Sequence, residues 1–533
     1  MKYSVIDLFA GAGGLSYGFE ATGNFEIKVA VEKNENAQKT FKRNHISATV
    51  LEDVCTINYK ELLMEYGDLD IVIGGPPCQG FSNTNRQRNH AISLNNKLVK
   101  EYVRAITELK PKAFVMENVS MIQSDVHRFY LAEGENETIN MYKIGLRNDK
   151  ISLLPKHLML TSQNLIFQNQ DAKYIWSERT YNIFNIIFKT ILNKAKLEKV
   201  IEKHRKQIMN ACLEIKTDQT DEIFDCYNVL VDNFDKYFAG ELILDRIVES
   251  LERPIFLQRM FRKLKEINDN SIIIDKISFD NGIEVSVKTY SVSEYLLNIL
   301  TSEDFGYVVC SDVLNAADFG VPQKRKRFIV IGIRKDYLEG KKIEMPVGKF
   351  INQNRTVRNA IEDIEQIKPT YDVIDSPIIL TARESKEGSL SKKLRDSNLL
   401  SNHIITKTRE DALRRFESLK PGENFHDLKT ELKENTYSNA ARTQNTIYLR
   451  LDYDKPCGTV VNVRKSMWIH PKYDRAISVR EAARLQTFPD SFIFVGTKDS
   501  QYQQVGNAVP PILAEAIAKK VVTLLKGSQK FSG

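Results

Sequence analysis

The chain has 533 residues, 42% hydrophobic and 27% charged, a globular composition that excludes disorder as the dominant state. Its 76 Lys and Arg against 69 Asp and Glu leave a formal charge of +7, which permits a polyanionic partner without requiring one. Six cysteines form no C-x-x-C pair and do not cluster with the eight histidines, and no run has the character of a signal peptide or membrane span; neither zinc, a disulfide framework nor a membrane is expected, and the cytoplasm is the expected location.

Short apolar runs alternate with helical patterns through the first part of the chain. Tyr3–Phe9, Ile27–Val31, Ile71–Ile73 and Ala113–Met116 read as buried strands, with helices over Glu35–Asn44 and Val99–Leu109 between them. That alternation predicts an α/β domain on a parallel sheet. Over residues 124–304 long helical patterns dominate. Phe184, Ile187, Phe188 and Ile191 keep the i, i+3, i+4, i+7 spacing, and Leu244, Ile247, Val248 and Leu251 mark another helix, which Pro254 is expected to end. This stretch is predicted to be a mostly helical insertion. Its basic run, Lys194 to Lys206, is read as a solvated helix face. Phe328–Ile333 restores the strand pattern, and the stretch from Asp336 to about Pro471 suggests a second small domain. Ser478 to Glu481 is a capping box opening a helix, and Pro511 suits the first position of a final helix.

Three segments carry chemistry. Asp7-Leu8-Phe9-Ala10-Gly11-Ala12-Gly13-Gly14 lies between a strand and a helix, where glycines allow a tight turn and close ligand approach, and Glu32 ends the second strand, where a carboxylate can accept from ribose hydroxyls. The spacing is G-x-G-G rather than G-x-G-x-x-G, so a tight turn without a ligand would also fit. Gly74-Gly75-Pro76-Pro77-Cys78 follows the third strand; the stiff Pro-Pro speaks against a packing role for the cysteine. Glu117-Asn118-Val119 follows the fourth, and Glu117 can serve there as an acid or as a mere helix-start residue.

Together with Gln323-Lys324-Arg325-Lys326-Arg327, Arg480 to Gln486 with Phe488-Pro489, and Gly506-Asn507-Ala508-Val509-Pro510-Pro511, these segments resemble the ordered signature motifs of the DNA (cytosine-5) methyltransferases, of the prokaryotic restriction–modification kind. The resemblance implies a Rossmann-like domain dependent on S-adenosylmethionine, assembled from residues 1–123, 305–340 and 474–533, with a target-recognition domain at 341–473. It leaves 124–304 outside the motifs. It implies Cys78 as the nucleophile, Glu117 at ring nitrogen 3, Arg327 at oxygen 2 and Arg325 on the phosphate side. Phe9, Gly11, Gly13, Gly14 and Pro76 would line the methyl donor, Glu32 would hold its ribose, Asp53 its adenine, and Asn507 would complete the pocket. The partners implied are double-stranded DNA, from which the cytosine is flipped, and a companion restriction endonuclease; a monomer is expected. A tRNA cytosine methyltransferase is the alternative enzyme, but its Cys-Phe-Thr segment is absent here. A non-catalytic DNA-binding relative would be expected to carry damaged Pro-Cys or Glu-Asn-Val motifs, and both stand intact.

Overall fold

The computed structural model describes residues 2–77, 95–118, 128–161, 171–373, 377–379, 388–433 and 443–525. The chain forms two compact units. The first comprises Met1–Phe81, Asn95–Ser124 and Leu296–Gly533, and the second Ser82–Leu94 and Asp125–Tyr295. In chain order the strands of the two larger sheets are β1 (Tyr3–Leu8), β2 (Phe25–Val31), β3 (Thr49–Leu51), β4 (Ile71–Gly74), β5 (Ala113–Asn118), β6 (Arg128–Tyr130), β7 (Arg147–Pro155), β8 (Ile274–Ser278), β9 (Gly282–Ser291), β10 (Tyr307–Asn315) and β11 (Lys326–Arg334).

The first unit is built on a seven-stranded sheet in the order β10-β11-β5-β4-β1-β2-β3. From β3 to β5 neighbouring strands are parallel. The sheet is not wholly parallel as expected, because β11 runs antiparallel to β5 and β10 antiparallel to β11. The short link from Asn315 to Lys326 leaves no room for the crossover that a parallel pair needs. The chain leaves β1 toward β2 and β3 and returns on the other side for β4. That reversal opens a crevice at the carboxyl ends of β1 and β4, where doubly wound sheets bind ligands.

Apolar side chains bury both faces of the sheet. Val5, Ile27, Ile71, Val115 and Ile331 share a core with Leu513, Ile517 and Val521 of the last helix, Pro511–Leu525. That helix packs so closely on helix Gly14–Glu20 that a methyl group on Gly18 would stand 2.3 Å from Ala514 Cβ. Residues 341–473 lie in the first unit. Val357, Leu394, Leu451 and Trp468 share a core with Leu485, Phe488 and Val505, while Ala412, Phe416, Phe425, Tyr448 and Ile469 form a smaller core.

The second unit combines helices with a four-stranded sheet in which β9 pairs β6, β7 and β8, all antiparallel. That sheet was not anticipated. Ile283, Val285 and Val287 of β9 pack in one core with Phe184, Leu197, Ile208, Phe234 and Phe261 from the helices. Pro254 does not end its helix as expected; the helix runs from Leu244 to Asp269 with Pro254 inside it. Proline removes one ladder hydrogen bond, but Ile247, Leu251, Ile255, Met260, Phe261 and Leu264 are buried on both sides of it, and that burial outweighs the local loss.

Candidate active site

Strand register gathers the site. Leu8 pairs with both Val31 and Gly74, and Gly74 pairs with Met116. The next residue on each strand is therefore at the same sheet edge: Phe9, Glu32, Gly75 and Glu117 emerge side by side. On the antiparallel neighbour, Ile329 pairs with Glu117, which brings Arg327 to that edge as well.

On the β1–β2 side, Phe9 and Gly11 have left-handed backbones, with φ of 61° and 56°, and Gly11 has open space where a side chain would point. The Gly11 and Asn34 amides donate to the two Glu32 carboxylate oxygens at 2.9 and 2.7 Å. Asp53 accepts from the Cys55 amide at 3.0 Å and pairs with Lys33 at 2.9 Å, and those two contacts hold its carboxyl below the usual range. Gly13 and Gly14 have other neighbours. A methyl group on Gly13 would stand 2.4 Å from His45 Nε2, and one on Gly14 2.4 Å from the Val509 carbonyl oxygen. Gly14 thus admits the segment carrying Asn507, which is exposed at the end of helix Lys498–Asn507 and accepts from Gln503 Nε2.

Beneath this loop Asp7 is buried and accepts from the Ser16 hydroxyl at 2.6 Å. Burial, with Glu32 and Glu20 nearby, raises its carboxyl to about 7 despite that hydrogen bond. Asp7 opens the first motif, which gave it no role of its own, and nothing in the linear pattern marks His45, whose Nδ1 meets Glu20 at 2.7 Å.

On the β4–β5–β11 side, Glu117 and Arg327 form an ion pair, Oε1 to Nε at 2.6 Å, with side chains 13% and 14% exposed. Asn118 Nδ2 donates to the Pro76 carbonyl at 3.1 Å and so ties β5 to the Pro-Pro turn. Cys78 and Val119 lie outside the described residues.

Arg325 was expected on the phosphate side. It is only 1% exposed, and it donates to the Val460 and Gly506 carbonyls at 2.9 and 3.0 Å. Burial, reinforced by Arg327, pulls its pKa well below the ordinary arginine value. In this structure it braces two backbone segments and presents no exposed surface to a phosphate. Gln323 is buried beside it, accepting from the Val460 amide and donating to Gln486. In the capping-box helix Val479–Leu485, Arg480 donates to the Pro489 and Phe492 carbonyls, Arg484 pairs with Asp490, and Arg475 forks onto Glu481. Burial opposes the charge on Glu481, but Arg475 holds its carboxyl well below the usual range.

Residues 3–143 and 287–523 match the family of C-5 cytosine-specific DNA methylases. The match therefore reaches into both ends of the 124–304 stretch that the signature motifs left out. The Type II methyltransferase M.DdeI of Desulfomicrobium norvegicum is 26% identical over 539 residues, spanning 97% of this chain and 88% of that protein. The Type II methyltransferase M1.HphI of Haemophilus parahaemolyticus is 26% identical over 528 residues, spanning 98% and 88%. A prophage-encoded DNA modification methyltransferase of E. coli shares the fold, with a TM-score of 0.54 at 22% identity over 98% of this chain and 100% of that one. The chain belongs to the C-5 cytosine-specific DNA methylases and is a DNA (cytosine-5)-methyltransferase.

Proposed function

We propose that the protein is a sequence-specific methyltransferase of a restriction–modification system, acting on a flipped cytosine through a covalent Cys78 adduct. The observation that carries this reading is the single row of Phe9, Glu32, Gly75 and Glu117 at one sheet edge, with Arg327 paired to Glu117. The likeness to Type II methyltransferases supports the restriction–modification setting, with a companion endonuclease as functional partner and the cytoplasm as location.

Carbon-5 of cytosine is a weak nucleophile. Addition of the Cys78 thiolate to carbon-6 forms a C–S bond and moves the displaced π electrons toward carbon-5, which makes that carbon enamine-like. Glu117 shares a proton with ring nitrogen 3 and accepts from the exocyclic amine. Arg327 donates to oxygen 2 and fixes the Glu117 carboxyl. Asn118, through the Pro76 carbonyl, sets the turn that leads to Cys78.

S-adenosylmethionine supplies the methyl group. The residues fit it: the Glu32 oxygens each accept one backbone amide and keep lone pairs for ribose hydroxyls, Gly11 leaves open space beside them, and Asp53 is held charged and oriented by Lys33 and the Cys55 amide. After transfer the carbon-5 proton is lost to a base and the thiolate leaves from carbon-6. Flipping costs a few kcal/mol, which DNA contacts must offset. Residues 341–473 are the proposed source of the base-reading contacts, and their smaller core around Phe416, Phe425 and Tyr448 supports treating them as a recognition element.

Duplex carrying 5-fluorocytosine at the target tests the mechanism. With donor present it should trap a covalent complex, because fluorine cannot leave as a proton does, and Cys78→Ser should abolish both trapping and turnover. Substantial methylation by Cys78→Ser, or no adduct on a verified target, would sink the covalent assignment.

A further inference from the structure

Helix Lys194–Lys203 lies in the part of the second unit, 144–286, that the family match skips. Its Leu197 and Ile201 are buried. At about 100° per residue, Lys196, Lys199 and Lys203 share a face turned roughly 150° away from them. All three lysines are exposed, and among the described residues none makes an ion pair. The acids of the same helix point elsewhere. Glu198 and Glu202 are near enough to Tyr237 to help raise its pKa, after burial, and Glu202 also pairs with Arg205. Lys194 is neutralised by Asp245. A segregated, uncompensated cationic stripe thus remains. Lys196 to Lys203 spans about 10 Å at 1.5 Å per residue. That matches about three nucleotide steps of one strand at 3.4 Å each.

We infer that Lys196, Lys199 and Lys203 form a contact surface for the DNA sugar-phosphate backbone, which gives the second unit a part in DNA affinity and none in sequence choice. The inference rests on the reading of the chain as an enzyme of duplex DNA. The charge complementarity favours this occupant: the stripe sets three exposed ammonium groups along one helix face, opposite in sign to a row of phosphates.

The test is the salt dependence of DNA binding by the full chain. Wild type is compared with the triple variant Lys196→Gln, Lys199→Gln, Lys203→Gln, with the corresponding triple arginine variant, and with a control variant Lys156→Gln, Lys189→Gln, Lys276→Gln elsewhere in the second unit. The probe is a random-sequence duplex of about three helical turns, titrated between about 50 mM and about 200 mM salt. Each phosphate contact contributes about 0.9 to the slope of log affinity against log salt, so loss of three contacts removes about 2.7 from the slope. Wild type should then lose about 40-fold more affinity than the triple glutamine variant across that range. The arginine variant and the control should keep the wild-type slope, all four proteins should melt alike, and the methylated sequence in cells should not change. An unchanged slope, an equal fall in the control, or a shifted methylation sequence overturns the inference. Absence of cytosine methylation by wild type would instead overturn the functional reading, which the binding slopes do not touch.

Discussion

Two buried groups in the first unit titrate with opposite sign in the same pH window, and separating them tests the packing on both sides of the site. His470 has a fully buried side chain, and its Nδ1 accepts from the Lys472 and Tyr473 amides at 3.1 and 3.2 Å. Burial, only partly opposed by Glu481, lowers it to about 4. Unfolded, it would titrate near 6.5. Between those values the unfolded chain binds the proton and the native protein does not, so the His470 contribution is complete above about pH 6.5 and is lost as pH falls through about 4. Asp7 works the other way. Raised to about 7 by burial, it holds a proton in the native state that the unfolded chain releases near 3.9, so its contribution is complete below about pH 3.9 and lost as pH rises through about 7.

Each group contributes about 1.4 kcal/mol per pH unit, about 3 kcal/mol in total for His470 and about 4 for Asp7, and in wild type the two slopes largely cancel. Asp7→Asn keeps an acceptor for Ser16 and removes one term; between about pH 4.5 and 6 it should gain about 2 kcal/mol relative to wild type as pH rises. His470→Asn keeps an acceptor for the two amides and removes the other; it should lose about 2 kcal/mol over the same rise. Urea unfolding would be followed by Trp468 fluorescence in a Trp176→Phe background, so that the signal comes from the first unit. Parallel pH profiles for wild type and both variants would refute the reasoning, because neither group could then differ between the folded and unfolded states.

Arg327→Met leaves the mostly buried Glu117 carboxylate unpaired; single-turnover methyl transfer should fall by about 10²–10³-fold while DNA affinity changes little. Glu32→Ala removes the acceptor for the Gly11 and Asn34 amides as well as the proposed ribose contact, and calorimetry should show donor binding weakened by about 1.5–3 kcal/mol with DNA binding unchanged. Gly18→Ala forces a methyl group against Ala514 Cβ and the Pro511 carbonyl, so thermal unfolding should show a loss of about 1–3 kcal/mol, partly recovered by Ala514→Gly.

The strands that position the site were legible because parallel strands covered on both faces read as continuous apolar runs. Val5, Ile6 and Leu8 in β1, and Ile71, Val72 and Ile73 in β4, are all buried. Where burial is one-sided or the strand is short, the signal failed. The edge strand β3 has three residues, none buried, and edge strand β10 mixes Val308 with exposed Ser311 and Asp312. In β9 the alternation is present but short and flanked by longer helical patterns: Ile283, Val285 and Val287 face the core and alternate with Glu284, Ser286 and Lys288. The capping box at Ser478 and the start at Pro511 were read correctly, because a cap depends on residues a few positions apart and needs no tertiary partner.

The same contrast explains what the site motifs could and could not disclose. A glycine in a sequence does not say whether backbone conformation, close packing or a ligand calls for it; the fold does. Gly11 borders open space and fits a ligand. Gly13 is required by the His45 ring, and Gly14 by the Val509 carbonyl, which comes from the far end of the chain. The proposed donor loop therefore packs against the last segment, and Asn507 lies in that segment, two residues before Val509. Arg325 follows the same logic. Its place in the Gln-x-Arg-x-Arg frame is the same distance from Gln323 as Arg327 is from Arg325, and spacing alone does not separate the two arginines; the family resemblance gave them distinct roles. The fold does: Arg327 lies within β11 and meets Glu117, whereas Arg325 precedes the strand and finds the Val460 and Gly506 carbonyls. One arginine meets the carboxylate proposed to hold the base, and the other holds together the two segments, around Val460 and Gly506, that adjoin the proposed recognition and donor elements.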